Sequence, residues 1–381
     1  MIEILEMIST PAYVVDEGKI VKNLKVLDSV QKQTGCKILL AQKAFSMFCL
    51  YPKIKKYLAG TAASGLYEAK LGHEEMGKET HIFSPAYLDS EFDEIAEICD
   101  HIVFNSFDQL NKFKHRAKNK QIGLRINPEY SEIENALYDP CAKHSRLGVK
   151  LNKIFENKED LNYIDGLHFH TMCEQDSDVL WRTLQIFEAE FGEFLKLKNI
   201  KWINFGGGQH ITHKDYDIET LIKSIMFIKD KYKIEVYLEP GEAVALDAGV
   251  LVSKVLDVTD DEDEDLPCAI LDASAVCHMP DVLEMPYKPE VLDAAEPEEK
   301  KYTYRLAGNT CLAGDIIGDY SFEEKLKYGD KIVFSDMAHY TMVKNNSFNG
   351  LKLPSIVLIC ANGQIKTIKE FGYEDFKMRL S

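Results

Sequence analysis

Ile38-Leu39-Leu40-Ala41-Gln42-Lys43-Ala44 is the stretch on which the fold turns. Four apolar residues lead to a single basic one, and a helix-like segment follows. A short apolar run of this kind reads as a buried strand, and it delivers one amine to the strand's carboxyl end. In a parallel barrel that end is the active face. An amine in a poorly solvated pocket loses its proton more readily and can attack a carbonyl carbon to form a Schiff base. The plainer alternative is a surface lysine snorkelling from a strand edge. The flanking sequence decides between them.

Upstream, Pro11-Ala12-Tyr13-Val14-Val15 reads as a strand. Asp16 reads as the cap of a helix with Ile20, Leu24, Leu27 and Val30 at helical spacing, ended by Gly35. Downstream, apolar runs fall at 38–41, 61–63, 81–83, 102–104, 122–126, 164–169, 202–205 and 234–238. Helical patterns at 44–58, 66–76, 90–99, 107–117, 179–197 and 218–230 separate most of them. Eight strands alternating with helices over about 200 residues is the arithmetic of a (β/α)8 barrel. After Gly241 the rhythm changes to strand-like runs at 250–258, 267–272, 302–306, 331–334 and 356–361, with turns between them. The expected fold class is therefore α/β: a (β/α)8 TIM-type barrel over 20–245, plus a mostly β second domain made of 1–19 and 246–381. The acidic run 260–265 reads as a solvated loop, or as a rim that attracts cations, and 296–301 as a second charged loop.

The 381 residues suit two domains, and 45% hydrophobic content supports large cores. A net charge of −17 argues against binding nucleic acid or an anionic membrane and is compatible with a polyamine-like substrate. The nine cysteines are scattered, with no C-x-x-C pair, as reduced thiols in a cytoplasm would be. The N-terminus lacks the basic start and apolar core of a signal peptide, and no apolar run is long enough to span a membrane. The expected location is cytoplasmic.

Polar residues follow the eight proposed strands: Lys43, Ser64, Ser84, Asn105, Asn127, His170, Gly206-Gly207-Gly208 and Glu239. Barrel enzymes build their sites from this rim. The glycine triplet lets backbone amides approach a phosphate, or is simply a flexible turn. Gly166-Leu167-His168-Phe169-His170 offers an H-x-H metal pair, with His144, His210, His213 and Asp272 as further ligands. It equally offers an imidazole that stacks on a flat cofactor ring, or two core histidines. Glu239 could hold a pyridine nitrogen protonated or cap a helix. In Gly308-Asn309-Thr310-Cys311-Leu312-Ala313-Gly314-Asp315, Cys311 is a candidate proton donor and Asp315 a candidate ligand for a cationic group. The alternative for that loop is a turn with a buried small hydrophobe.

Together these residues resemble the fold-type-III, alanine-racemase-like pyridoxal-phosphate decarboxylases over nearly the whole chain. Within them, the sequence resembles the carboxynorspermidine/carboxyspermidine decarboxylase family. The segments that carry the likeness are Thr10–Asp16, Leu40–Phe45, Ser145–Gly148, Gly166–His170, Glu239–Ala243 and, most specifically, His278-Met279-Pro280-Asp281-Val282-Leu283-Glu284-Met285-Pro286-Tyr287. The resemblance implies pyridoxal 5'-phosphate bound covalently to Lys43, His170 rather than His168 stacked on the ring, and Glu239 at the pyridine nitrogen. It implies phosphate contacts from Gly206, Gly207, Gly208 and Tyr340, and Arg146 near the cofactor. It implies a homodimer with shared active sites, in which Cys311 and Asp315 reach into the partner's site, and a small-molecule carboxypolyamine substrate.

One departure is informative. Relatives acting on ornithine or diaminopimelate usually carry Glu-Pro-Gly-Arg, and here the fourth position is Glu242. Losing a cation beside a phosphate costs binding unless other donors replace it. A carboxylate there suits an amine-bearing substrate, so Glu242 and Asp281 are expected to contact the substrate's amines. Competing readings are another basic amino-acid decarboxylase such as one acting on diaminopimelate, a metal-dependent barrel hydrolase, and a catalytically inactive regulator.

Overall fold

The computed structural model describes residues 2–259 and 266–381; the acidic run 260–265, read above as a loop or a cation-attracting rim, lies outside the described residues. The chain divides into two compact units, Val21–Val244 and a second made of Met1–Ile20 with Ala245–Ser381.

Strand β1 (Ala12–Asp16) belongs to the second unit. The first is a closed barrel of β2 (Lys37–Ala41), β3 (Gly60–Ala63), β4 (Glu79–Phe83), β5 (His101–Phe104), β6 (Gln121–Arg125), β7 (Gly166–His168), β8 (Trp202–Asn204) and β9 (Glu235–Leu238). Each strand runs parallel to the next, and β9 closes on β2 through the pairs Lys37 with Tyr237 and Ile38 with Leu238. All eight runs expected from sequence are strands.

The barrel interior is filled by one large ring set against missing side chains. Trp202 packs with Leu39, Ala62, Val103 and Tyr237. A Cβ added at Gly166 would lie 2.0 Å from the Trp202 ring, and one at Gly123 only 2.5 Å. Glycine on β6 and β7 is therefore what admits the indole. Toward the amino ends of the strands the interior turns polar. Lys37 Nζ donates to Glu79 Oε1 (2.6 Å) and to the Tyr237 hydroxyl (3.1 Å), and the rings of His81 and His101 stack at 3.8 Å.

The helical expectations hold in kind but not always in length. Asp16 accepts hydrogen bonds from Gly18 N and Lys19 N, and the helix Glu17–Thr34 follows. The pattern at 44–58 yields only a 3-10 turn, Phe48–Leu50, and a short helix, Tyr51–Ile54. Pro52 suits a first helical turn and cannot sit deep within one, which places the helix start late. Residues 42–47 are left as turns, with Ala44 N donating to Ala41 O (3.1 Å) and Ser46 Oγ to Gln42 O (2.5 Å). Those turns present Lys43 beyond the end of β2.

The second unit contains β10 (Gly249–Thr259), β11 (Cys268–Leu271), β12 (Tyr302–Ala307), β13 (Ile316–Phe322), β14 (Lys331–Phe334), β15 (Ser355–Ile359) and β16 (Ile365–Lys369). The sheet order is β13-β12-β11-β10-β1-β15-β16, with β14 also paired to β10. Leu5, Ile8, Ala12, Val14, Val252 and Val357 form one of its cores. Strands β13 and β16 were not expected. Gly318 and Asp319 interrupt the apolar pattern of β13, and the Arg305–Asp319 ion pair across β12 and β13 (2.8 Å) accounts for the acid. Strand β16 lies at the sheet edge, mostly exposed, where alternation with lysine is tolerated. Among the described residues no helix is long and apolar enough to cross a membrane.

Candidate active site

At the carboxyl ends of the barrel strands the structure gathers Lys43, His170, Gly206–Gly208 and Glu239. Lys43 stays accessible from solvent, and no hydrogen bond holds its amine among the described residues. Surrounding protein depresses its basicity first of all; Glu239 opposes this, Arg125 adds to it, and Glu68 also opposes it.

His170 lies past the end of β7, and its Nδ1 accepts from Gly207 N (3.0 Å). The proton of the neutral ring is therefore on Nε2. Burial, then the charges of Lys43 and Arg125, push its pKa well below the usual value, so the ring stays uncharged. His168 points elsewhere. Its Nε2 donates to Glu239 Oε2 (3.3 Å), while Asn204 Nδ2 donates to Glu239 Oε1 (2.7 Å). Burial alone would raise the Glu239 carboxyl. The charge and hydrogen bond of His168, with His81 and Asn204, outweigh burial and hold the pKa at about 2. One carboxylate is thus clamped through both oxygens and stays ionised at neutral pH.

The glycine triplet is tightly packed rather than loose. Gly206 and Gly208 have φ of +69° and +87°, and a Cβ at Gly208 would lie 2.0 Å from Met172 O. A Cβ at Gly207 would lie 2.4 Å from Glu239 O. Close approach of the β7, β8 and β9 loops requires glycine here. Gly206 N already donates to Asn204 Oδ1 (2.8 Å) and Gly207 N to His170. Of the three amides, only that of Gly208 is without an acceptor among the described residues.

The H-x-H metal pair is not assembled. Among the described residues, two groups bring three ligand atoms within 4.8 Å of one another: Glu79, His81 and His101, and Glu174, His210 and Glu242. Neither contains His168 or His170, whose rings serve Glu239 and Gly207 separately. Glu242 begins a short helix and accepts from His210 Nε2 (2.8 Å). Arg146 is exposed, and its carbonyl accepts from Asn105 Nδ2 (2.8 Å).

In the second unit, Asp281 is ion-paired with Lys344, which also reaches Glu284 at 2.8 Å. Cys311 is exposed, and its backbone N donates to Asn349 Oδ1 (2.8 Å). Tyr340 sits at φ +46° and ψ −60°, with Thr341 N donating to His339 O across it. That is a γ-turn of the rare, strained kind. The expectation that Asp315 binds a cationic group is corrected. Its carboxylate is 3% exposed and accepts from Ser274 Oγ (2.8 Å), Val276 N (3.2 Å) and Thr310 Oγ1 (2.7 Å). It braces the loop that carries Cys311 and is spent in doing so.

Two residues of the barrel site went unnamed in the sequence reading. Arg125 is 5% exposed, its Nη2 donates to His170 O (3.3 Å), and its guanidinium lies 4.5 Å from the centre of the Phe83 ring. Asn204 links the Glu239 carboxylate to the Gly206 amide. A signal was available for both: each is a polar side chain inside a buried apolar run, which is costly unless it has a task.

A family model described as "Pyridoxal-dependent decarboxylase, C-terminal sheet domain" matches residues 12–338. Carboxynorspermidine/carboxyspermidine decarboxylase from Campylobacter jejuni is 46% identical, covering 98% of this chain and 99% of its own. Carboxyaminopropylagmatine decarboxylase from Synechocystis is 40% identical, covering 99% and 96%. A crystal structure of the Campylobacter jejuni carboxynorspermidine decarboxylase complexed with norspermidine superposes with a TM-score of 0.90 at 45% identity, covering 98% of this chain and 100% of that one.

Proposed function

The chain belongs to the pyridoxal-dependent decarboxylase family, and from that premise we propose that it decarboxylates carboxynorspermidine and carboxyspermidine, yielding norspermidine and spermidine in polyamine biosynthesis. One juxtaposition carries the reading: an amine of depressed basicity, a neutral imidazole and a permanently ionised carboxylate share the carboxyl ends of β2, β7 and β9. The donor set fits pyridoxal phosphate. Lys43 suits its aldehyde, the doubly clamped Glu239 its ring nitrogen, and the uncharged face of His170 its ring. The free Gly208 amide suits its phosphate. Gly206 and Gly207 shape this cradle by letting the loops close, and Arg146 lends positive charge nearby.

When bound, this cofactor supplies a sink for the electron pair left behind as the α-carboxylate departs. The chain's own residues do the rest. Lys43 would hold the cofactor's aldehyde and take and return protons at Nζ. Glu239, held ionised, would keep a proton on the ring nitrogen. His170 would cover one face of the ring and exclude water from it. The Cys311 thiol returns a proton to the α-carbon. We place Cys311 at a site shared across a homodimer: Leu312 beside it is 48% exposed and Phe348 is 44% exposed, an apolar surface suited to a second subunit. A single-chain mass for the holoenzyme by light scattering would contradict the dimer. Nine free thiols suit a cytoplasmic setting.

The test of the function is carbon dioxide release by purified protein with pyridoxal phosphate on carboxynorspermidine, carboxyspermidine and diaminopimelate. Turnover of diaminopimelate with neither carboxypolyamine decarboxylated would overturn the reading. Carboxyaminopropylagmatine, the substrate named for the Synechocystis relative, is the second to assay. Within this function, Glu242 is assigned to the substrate's amines. Glu242→Gln is expected to raise KM for carboxynorspermidine about tenfold while the cofactor Kd stays within about twofold, the loss of one charge-assisted contact. Cofactor loss exceeding substrate loss would show that Glu242 serves the cofactor instead.

A further inference from the structure

Glu174, His210 and Glu242 bring three ligand atoms within 4.8 Å of one another. They come from the loops that follow β7, β8 and β9, and hydrogen bonds tie those loops together. Gln175 N donates to Gly208 O (3.0 Å) and His210 N to Gln175 O (3.2 Å), which sets Glu174 beside His210. Thr212 Oγ1 donates to Ala243 O (2.6 Å), which sets the β8 loop against the short helix that Glu242 begins. Glu174 itself holds φ at +50°, a left-handed backbone that glutamate seldom adopts. Such strain persists where the surrounding structure enforces it. His210 Nε2 lies 2.8 Å from Glu242 Oε1, and this is the one hydrogen bond of that carboxylate among the described residues.

Two carboxylates and one imidazole on three tied loops are a donor set for a divalent transition metal. Donors bound to one tetrahedral ion at about 2.0–2.1 Å stand about 3.3 Å apart, so small side-chain rotations close this trio on an ion. Solvent reaches the cluster and can fill the remaining positions: the His210 and Glu242 side chains are 21% and 14% exposed, and Glu174 is exposed. The barrel floor offers the other trio, Glu79, His81 and His101, and it fails on geometry. The His81 and His101 rings stack face to face, 3.8 Å apart and 14° from parallel, so one ion cannot lie near both ring planes. Lys37 Nζ, 2.6 Å from Glu79 Oε1, already holds the place of a cation there. We propose that Glu174, His210 and Glu242 bind a divalent transition metal ion, and that this ion and a substrate amine exclude one another at Glu242. The second half rests on the assignment of Glu242 to the substrate's amines; the first does not. A chain of net charge −17 draws either cation toward its surface. The metal acts as an inhibitor that competes with the polyamine and leaves the chemical step alone.

Mn²⁺ is the probe, because carboxylate and imidazole donors hold it whereas the exposed thiols of Cys49 and Cys311 favour softer ions. The holoenzyme is titrated with Mn²⁺ and the free ion is read from its electron paramagnetic resonance signal. The expected result is a single saturable equivalent. Its Kd rises at least about tenfold in Glu174→Gln and in His210→Asn, since losing a ligand costs no less than losing a group that orients one. Norspermidine raises the apparent Kd of the wild type in proportion to its concentration, and Mn²⁺ in turn raises KM for carboxynorspermidine with kcat unchanged. No saturable binding up to about 1 mM, or a Kd that both variants leave within about twofold, overturns the metal site. Norspermidine that inhibits decarboxylation yet leaves the Mn²⁺ Kd unchanged overturns the shared use of Glu242. The Glu174 side chain is exposed and glutamine keeps its shape, so that variant decides alone if His210→Asn fails to fold. If the wild type releases no carbon dioxide from either carboxypolyamine, the functional reading fails, and the Mn²⁺ titrations of the variants still decide the metal site.

Discussion

Lys43→Ala is expected to cut carbon dioxide release by at least about a thousandfold at saturating cofactor, the order seen when a covalent catalyst is removed. The visible absorbance of the lysine-bound cofactor disappears with it. Stability should change little, within about 0.5 kcal/mol, because the side chain is accessible and makes no hydrogen bond among the described residues. That combination distinguishes chemistry from folding. A metal-dependent barrel hydrolase would retain turnover in Lys43→Ala and lose it to a chelator. A snorkelling surface lysine would leave both absorbance and turnover unchanged. Near-wild-type decarboxylation by the variant would show that another amine does the work.

The second large effect is at Glu239. Glu239→Gln keeps the shape and removes the charge. The expected result is a fall in kcat of about 10²–10³-fold with a much smaller change in KM, the size found when one group that stabilises developing charge is deleted. The reasoning is electrostatic. At a pKa of about 2, the native carboxylate remains anionic across the working pH range and so would hold a proton on a ring nitrogen placed against it. An amide cannot. The variant should also be less stable. Asn204 Nδ2 and His168 Nε2 both donate to this side chain, and an amide offers one oxygen where the carboxylate offered two. Leaving a buried donor unmatched costs about 1–3 kcal/mol. Comparing kcat at equal cofactor occupancy separates the two effects. An unchanged kcat there would remove Glu239 from the chemistry.

The barrel was legible because its signal is repetition. Eight apolar runs at regular spacing survive errors of a residue or two at each boundary, and the residues just beyond them fall on one face. The second unit was less so. The apolar pattern of β13 is broken by Gly318 and Asp319, and the acid is accounted for only by Arg305 on the neighbouring strand. Local periodicity carries no information about such cross-strand partners. The same limit applies to the site. Lys43, His170 and Glu239 announce themselves as polar residues ending apolar runs. Arg125 and Asn204 lie one residue inside such runs, where period-based reading treats them as noise. Asp315 misled for the opposite reason. A carboxylate in a glycine-bounded loop looks available, and only the packing of Ser274, Val276 and Thr310 around it shows it to be occupied. The glycine triplet fell between: its need for glycine was legible, whereas the use of two of its amides by Asn204 and His170 was not.

The account stands on the covalent attachment of one aldehyde to one lysine. Borohydride reduction of the holoenzyme, followed by proteolysis and mass spectrometry, reads that bond directly. The expected result is a pyridoxyl-phosphate mass increment on the peptide that contains Lys43, at near-stoichiometric yield, with no other lysine modified to a comparable extent. An unmodified Lys43 peptide, or the increment on a different lysine, would contradict it.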